Sequence, residues 1–168
     1  MGTKTEKDLQ QAFAGESQAN RRYLFFAAKA DKEGYPQVAR LFRAAAEAET
    51  AHAGNHFNVL KGVGQTADNL GAAVNGEQYE FVSMYPDMIN DAVAEKDAAA
   101  EKSFRWAFAV EKIHFNLFEK FLKAVKEKKE IKNEPIYVCP LCGNTVEGSA
   151  PDICPICGTP GSKFKKIE

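Results

Sequence analysis

Apolar positions recur with the spacing of an amphipathic α-helix along the part of the chain that precedes Pro135. In the stretch from about Pro36 to Lys61 they alternate in steps of four and three, and they do so again from about Asp97 to Lys128. Such a stripe covers one face of a helix and packs against neighbouring helices. Two further helices are expected, one near the N-terminus and one in the middle of the chain. The pattern predicts an all-α four-helix bundle.

Glycine and proline set the expected ends of these helices. The first should stop near Gly34-Tyr35-Pro36. Residues 62–76 are rich in Gly, Asn and Ala without a sharp period, so we interpret them as a long connection that crosses over along the bundle. The third helix should begin near Asn75-Gly76 and be interrupted at Tyr85-Pro86, because proline disfavours helix in the residue before it.

Two of the apolar stripes each carry a carboxylate and an imidazole in the order Glu-x-x-His. One pair is Glu49 and His52, and the other is Glu111 and His114. A step of three residues keeps both side chains on one face of a helix, here the face that the apolar pattern buries. Buried carboxylates need a compensating cation, and neither stripe carries a lysine or arginine. A bound metal is the simplest explanation.

A single glutamate occupies a comparable place in each of the other two helices. Glu16 precedes Glu49 by 33 residues and Glu77 precedes Glu111 by 34, so each Glu-x-x-His follows a helix glutamate by one hairpin. Ferritin-like bundles hold two iron or manganese ions with such a set. The alternative, a polar layer with a structural role alone, is disfavoured by two pairs in register. The predicted ligands are Glu16, Glu49, His52, Glu77, Glu111 and His114.

Three more side chains belong near this site. Glu80 follows Glu77 by three residues and is either an exposed helix residue or an additional ligand. Tyr23 and Tyr85 lie on or near the ligand-bearing faces. As aromatic residues they belong by default to the core, but buried hydroxyls need partners, and a metal-bound oxygen species is one candidate.

The composition changes at the end of the helical region, where Pro, Gly and Cys become frequent and the apolar pieces are short. We predict a domain boundary there, with a helical domain at 1–132 and a small turn and short-strand domain at 133–168. Two Cys-Pro-x-Cys-Gly knuckles can place four thiolates around one iron or zinc ion, and a disulfide pair is the poorer alternative. The predicted ligands are Cys139, Cys142, Cys154 and Cys157.

Charge and hydropathy exclude several classes of partner. The 168-residue chain has a formal net charge of −1, which gives no electrostatic reason to bind nucleic acid or an anionic membrane. No apolar run approaches the roughly 20 residues that span a bilayer, and the N-terminus lacks a signal-peptide core. Clustered cysteines suit a metal site in a reducing compartment. A soluble cytoplasmic protein is expected.

Five segments together resemble the rubrerythrin family in its two-domain form. They read AFAGESQANRRY (12–23), AEAETAH (46–52), NGEQYEFVSMYP (75–86), AVEKIH (109–114) and the CPLCG…CPICG tail. The resemblance covers essentially the whole chain. It implies a ferritin-like di-iron domain followed by a rubredoxin-like domain that holds one iron in four cysteines. The residues between the two knuckles are few, as in zinc ribbons, so zinc remains a possible substitute there.

The resemblance also implies a role for each matching residue. Glu49 and Glu111 match the bridging carboxylates, Glu16 and Glu77 match terminal ligands, and His114 matches the histidine of the second iron. His52 and Glu80 match a pair that exchanges on the first iron, with His bound in the reduced state and Glu in the oxidised state. Tyr23 and Tyr85 match the tyrosines beside the di-iron site.

The family implies a cytoplasmic peroxidase that protects against oxidative stress. In this hypothesis the reduced di-iron site supplies two electrons to hydrogen peroxide, and two waters leave after protonation. Electrons arrive through the four-cysteine iron from an external donor, either a reductase or a rubredoxin, and ultimately from NADH. No dinucleotide-binding fingerprint is present in the chain, so NADH is a remote donor. The family further implies a homodimer in which the tail iron of one subunit approaches the di-iron site of the other, and helix exchange through 62–76 is a further possibility.

Other functions remain open from the residues alone. The main alternative is a ferritin-like ferroxidase or iron-handling protein whose tail is a structural zinc ribbon. It predicts oxidation of ferrous iron by dioxygen and assembly into a shell. A non-enzymatic electron carrier or metal-stabilised scaffold ranks last, and a di-iron oxygenase lacks a recognisable substrate pocket.

Overall fold

The computed structural model describes residues 2–168, which form two compact units. The first unit extends to Gly64 and the second comprises Gln65–Glu168. The chain is mostly helical and ends in a small three-stranded region, as the sequence pattern predicts. Among the described residues, no helix has both the length and the apolarity required to cross a membrane.

The first unit is a helical hairpin of α1 (Lys4–Lys32) and α2 (Pro36–Val59). The hydroxyl oxygen of Thr3 accepts the backbone N–H of Glu6 and caps α1. Gly34 adopts a positive φ of 80° at the turn, a conformation that costs glycine least. The two helices pack closely through the small buried side chains of Ala27, Ala30 and Ala39. The turn therefore lies where the sequence places it.

The second unit begins with a helix that starts much earlier than the sequence indicates. α3 covers Thr66–Tyr79, so the connection after α2 consists of residues 60–65 and not of 62–76. A reciprocal capping box of Gln65 and Asp68 starts the helix. The prediction of a helix start near Asn75 is wrong, because this cap and packing against the last helix outweigh the weak helix propensity of the Gly- and Asn-containing sequence.

The chain stays helical across the predicted interruption at Tyr85-Pro86. A π-helical segment, Glu80–Met84, follows α3 and leads into α4 (Tyr85–Glu95). The backbone N–H of Tyr85 donates to the carbonyl of Glu80, five residues back. The wider turn shifts the hydrogen-bond register immediately before Pro86, which occupies the start of α4 where its missing N–H is tolerated.

The last long helix and the tail complete this unit. α5 covers Ala98–Lys126, and its N-cap is Asp97, whose carboxylate accepts two backbone N–H groups. The tail contains β1 (Ile136–Val138), β2 (Thr145–Glu147) and β3 (Lys165–Ile167) in the antiparallel order β2-β1-β3, with a 3₁₀ turn at Gly161–Lys163. Strand β2 contacts α5. The domain boundary at 132/133 stays a prediction.

Candidate metal centres

The helical hairpin brings three predicted ligands together. Ligand atoms of Glu16, Glu49 and His52 all lie within 4.8 Å of one another. His52 Nδ1 is 2.8 Å from Glu49 Oε2, a contact between neighbouring turns of α2 that the Glu-x-x-His spacing produces. The side chain of His52 is 55% exposed whereas that of Glu49 is 17% exposed, so the histidine is the more solvent-accessible of the two.

The second unit brings together the three corresponding predicted ligands. Glu77 comes from α3, and Glu111 and His114 come from α5, with ligand atoms again within 4.8 Å. His114 Nδ1 is 2.8 Å from Glu111 Oε2 and 3.7 Å from Glu77 Oε1. These side chains are more enclosed than those of the hairpin group, since His114 is 27% exposed. One ring nitrogen therefore faces two carboxylates, the donor set that a hard cation binds.

Burial and mutual repulsion change the acidity of this carboxylate pair. Burial, together with the neighbouring charge of Glu111, raises the pKa of Glu77 to about 7. Burial also raises the pKa of Glu111. Protons bind here because two carboxylates in a partly buried site cannot both stay charged without a cation. A bound metal cation would neutralise the two carboxylates in place of the proton, so this donor set fits the predicted ion.

Tyr85 and Glu80, two of the other predicted site residues, lie near this carboxylate pair. Burial, followed by the charges of Glu111, Glu80 and Glu77, raises the pKa of Tyr85, which keeps its hydroxyl protonated. Glu80 is close enough to raise the pKa values of Glu77 and Glu111, although its oxygens do not join the compact ligand group. Glu80 is also the first residue of the π-helical segment. π-bulges often occur at functional sites.

Tyr23 belongs to the hairpin unit. Its ring packs in tilted contacts against Phe26 and Phe42, with ring centroids 6.3 Å and 6.1 Å apart. This is the core packing that an aromatic residue on an apolar stripe is expected to show. The assignment of Tyr23 to the di-iron site stays a prediction.

The four cysteines converge at one point of the tail. All four are free thiols, and their sulfurs lie within 4.8 Å of one another. The Cys139–Cys157 and Cys142–Cys154 sulfur pairs are each 3.5 Å apart. Tetrahedral ligands at about 2.3 Å from an iron or zinc ion would be about 3.8 Å apart. The sulfurs are thus prearranged for a tetrahedral metal, and no disulfide bond joins them.

The two knuckles repeat the same backbone geometry. In each, the N–H of the glycine donates to the carbonyl oxygen of the first cysteine, and the N–H of that cysteine donates to the carbonyl oxygen of the residue after the glycine. Both glycines have positive φ values, 84° for Gly143 and 78° for Gly158. A Cβ would be strained in that conformation. The Cys-x-x-Cys-Gly sequence therefore dictates the knuckle directly.

Sequence reasoning missed several polar residues that support these sites. Asn144, the only buried polar residue found among residues 2–168, donates a hydrogen bond to the Cys154 sulfur, and Thr159 contacts the Cys157 sulfur at 3.1 Å. Each of these residues directly follows the glycine of a knuckle, so their equivalent positions in the two knuckles could have indicated their role from the sequence. Thr145 contacts His114 Nε2 at 2.9 Å, and nothing in the sequence indicated this long-range pairing.

Both the helical part of the chain and its tail match known protein families. The Rubrerythrin family model matches residues 7–122, and the model "Rubrerythrin, rubredoxin-like domain" matches residues 137–165. The chain belongs to the rubrerythrin family. Members of this family have a di-iron site and a rubredoxin-like iron site, so the predicted cofactors are confirmed, as is the ferritin-like fold class with its rubredoxin-like tail.

Known relatives match this chain over nearly its whole length. It is 39% identical to Rubrerythrin-2 of Clostridium acetobutylicum, covering 94% of this chain and 93% of the relative. Rubrerythrin of Porphyromonas gingivalis is 37% identical over 99% of this chain and 92% of the relative. Among solved structures, the partially reduced state of nigerythrin matches with a TM-score of 0.59 and 30% identity over 99% of this chain and 88% of that one.

Proposed function

We propose that this rubrerythrin reduces hydrogen peroxide to water with electrons delivered through its four-cysteine centre. The observation that carries the proposal is the direct contact between the tail and the metal-ligand group, where Thr145 lies 2.9 Å from His114 Nε2. A zinc ribbon with a structural role needs no such contact. A redox centre does, because electron transfer requires close approach of donor and acceptor.

The reaction consumes two electrons and two protons for each peroxide and yields two waters. The bound iron pair supplies the redox chemistry and Lewis acidity. The protein groups hold charge and deliver protons. The raised pKa of Tyr85 leaves its hydroxyl protonated beside the carboxylates, so it can donate a hydrogen bond to the departing oxygen.

Two ligand positions have the freedom that an exchange of ligands requires. The exposed imidazole of His52 can swing away from Glu49, and Glu80 lies at a π-helical segment, beside but outside the compact group. We assign His52 and Glu80 to the exchanging pair and Tyr23 to the hydroxyl on the hairpin side. Glu16, Glu49, Glu77, Glu111 and His114 are the permanent ligands of this proposal.

The electron donor is an external protein, a reductase or a rubredoxin that draws on NADH. Support comes from the rubredoxin-like tail, whose first knuckle is accessible through the 57% exposed side chain of Leu141. Cytoplasmic location is proposed because four free thiols at one site suit a reducing compartment.

The short connection after α2 supports a homodimer with exchanged hairpins. In a ferritin-like bundle one crossover makes the second and third helices run in the same direction. The proposed site places Glu49 and Glu77 at the same height along the bundle. The connection must then run back past the part of α2 that follows Glu49 and the part of α3 that precedes Glu77. Together these two parts are about 31 Å long at the α-helical rise. Residues 60–65 reach at most about 25 Å when fully extended.

The hairpin of one chain therefore pairs with α3, α4 and α5 of a second chain in this proposal. The α1–α2 hairpin supports it with large apolar side chains that are exposed, including Phe25 at 66% and Leu41 at 67%. Apolar surface of this kind marks an interface. A second copy of the chain is the occupant, because it carries the other half of the ligand set.

Stopped-flow mixing of the fully reduced, iron-loaded protein with hydrogen peroxide tests the function. Rapid oxidation of the tail centre, followed by its ferric-thiolate absorbance, is expected with peroxide and much slower oxidation with dioxygen. Glu80→Ala should slow the reaction at least about tenfold, a loss typical of groups that tune a metal site. Glu47→Ala, an exposed position on α2, is the matched control and should leave the rate unchanged.

One outcome would favour the iron-handling alternative. If the tail centre stays reduced while the protein consumes dioxygen and accumulates ferric iron, the protein is a ferroxidase and the proposed peroxidase function is wrong.

A further inference from the structure

The tail docks on α5 through side chains that share one face of strand β2. Thr145 and Glu147 are two residues apart and therefore point to the same side of the strand. Thr145 meets His114, and Glu147 pairs with Lys120 at 2.5 Å. The site of a Cβ on Gly143 would lie 3.7 Å from Val110 on the same helix. The first knuckle is thus held against the helix that carries two metal ligands.

The hydrogen-bond directions at this contact determine the form of the histidine. The Thr145 hydroxyl donates its single proton to the carbonyl oxygen of Gly143 at 2.9 Å. Its oxygen must then accept from His114 Nε2, which lies 2.9 Å away, so Nε2 carries the ring proton. Nδ1 of the neutral ring is left with a lone pair. That atom is the one that faces Glu111 and Glu77.

A lone pair 2.8 Å from a carboxylate oxygen is stable only with a cation or a proton between the two atoms. The arrangement therefore prepares Nδ1 to bind a metal and prevents the ring from turning its other nitrogen toward the site. Hydrogen bonds of this kind to a ligand histidine set its tautomer and orientation.

The same hydroxyl also joins the two centres. Gly143 follows Cys142 directly, so the path from that thiolate to His114 consists of the Cys142–Gly143 backbone and two hydrogen bonds through Thr145. Every residue on this path belongs to one chain and one compact unit. The sequence-based expectation placed the tail iron of one subunit near the site of the other, whereas here the chain's own tail contacts its own ligand histidine.

We infer that Thr145 is a positioning residue that fixes the Nδ1 lone pair of His114 toward the metal and carries electrons from the Cys142 knuckle to that histidine. One electron passes in each step, from the reduced four-cysteine centre to the oxidised carboxylate centre, and no bond forms or breaks. The external reductase then returns the electron to the tail. This inference rests on the proposed peroxidase function.

The test compares three variants of the full-length, iron-loaded protein. Thr145→Val keeps the β-branched shape but removes the hydroxyl, and Thr145→Ser restores it. Glu147→Gln weakens the neighbouring Lys120 contact and controls for loosened docking of the tail. After mixing with peroxide, the absorbance of the carboxylate-bound iron and that of the ferric-thiolate tail centre are followed separately.

The valine variant should bind iron at the carboxylate site about tenfold more weakly, the size of effect seen when a hydrogen-bond partner of a ligand histidine is removed. Once loaded with iron, it should oxidise its carboxylate-bound iron at the normal rate but oxidise its tail centre more slowly than the parent protein and the serine and glutamine variants. The reduction potential of the tail centre, measured by redox titration, should not change. The serine and glutamine variants should transfer electrons at nearly the normal rate.

Two results would overturn the inference. A valine variant whose tail oxidises as fast as the parent protein shows that the hydroxyl carries no electrons, and equal slowing in Glu147→Gln shows that docking alone matters. Failure of the proposed function looks different, because peroxide would then leave the carboxylate-bound iron of the parent protein reduced.

Discussion

At the scale of single residues, the Glu77–Glu111 pair determines how the site depends on pH. Burial, reinforced by the charge of Glu111, raises the pKa of Glu77 to about 7, well above the value of an exposed glutamate. The metal-free protein therefore holds a proton at this pair near neutral pH. A metal ion must displace that proton before it can bind.

Metal binding at the Glu77 group should release a proton below pH 7 and none well above it. Each unit of pH below 7 should weaken the apparent affinity about tenfold, since one proton competes with one ion. Calorimetric titration of zinc into protein with a preloaded tail, repeated in buffers of different ionisation enthalpy, measures the proton count. A count of zero at pH 6 would contradict the assignment.

The same shift has a consequence for the stability of the metal-free protein. A carboxyl whose folded pKa is raised favours the folded state at low pH, and this contribution is lost as pH rises from the unfolded pKa, about 4.5, through about 7. The metal-free protein should accordingly unfold at a lower urea concentration at pH 8 than at pH 5.5. Loading the site with metal should reverse that trend.

At the scale of elements, one amide side chain joins the helices of the hairpin. Asn20 on α1 donates to the carbonyl oxygen of Ala46 at 2.7 Å and to the Thr50 hydroxyl at 2.9 Å, both on α2. Asn20 lies one turn beyond Glu16 on α1, and Ala46 and Thr50 lie on either side of Glu49 along α2. The two bonds therefore hold Glu16 and Glu49 in register.

Replacement Asn20→Ala should destabilise the hairpin by about 1–2 kcal/mol, because two interhelical hydrogen bonds are lost. The urea midpoint of the helical circular dichroism signal measures this effect. The control is Gln18→Ala, which removes an exposed bond to Arg22 on the same helix and should cost less than about 0.5 kcal/mol. Equal midpoints for the two variants would show that Asn20 does not link the helices.

At the scale of the whole molecule, a dimer with exchanged hairpins differs from a dimer without exchange in which chains supply the ligands of each site. Each site of the exchanged dimer takes Glu49 from one chain and Glu111 from the other. A mixed dimer of Glu49→Ala and Glu111→Ala chains then contains one intact ligand set and one set with both defects. Without exchange, every set in that dimer has one defect.

The mixed dimer, purified through two different affinity tags, should recover about half of the carboxylate-bound iron and about half of the activity of the parent dimer. Mixed dimers of Glu49→Ala with Glu16→Ala serve as the control, because both changes lie on the hairpin and no intact set can form. Loss of iron in both mixed dimers would show that each chain builds its own site.

The sequence by itself determined the ligand chemistry and the local geometry that short-range rules dictate. Glu-x-x-His spacing on an α-helix places both groups on one face, as Glu111 and His114 demonstrate, and each Cys-x-x-Cys-Gly knuckle folds the same way because its glycine adopts a positive φ at the lowest cost. The turn at Gly34 follows from similar local chemistry.

Only the tertiary structure decided the features that depend on partners distant in the sequence. α3 starts at Thr66 because a capping box and packing on α5 outweigh weak helix propensity. Helix continues past Pro86 because a π-turn shifts the hydrogen bonds. Thr145 reaches His114 because β2 docks on α5, and no periodicity along the chain encodes a contact between residues 31 apart.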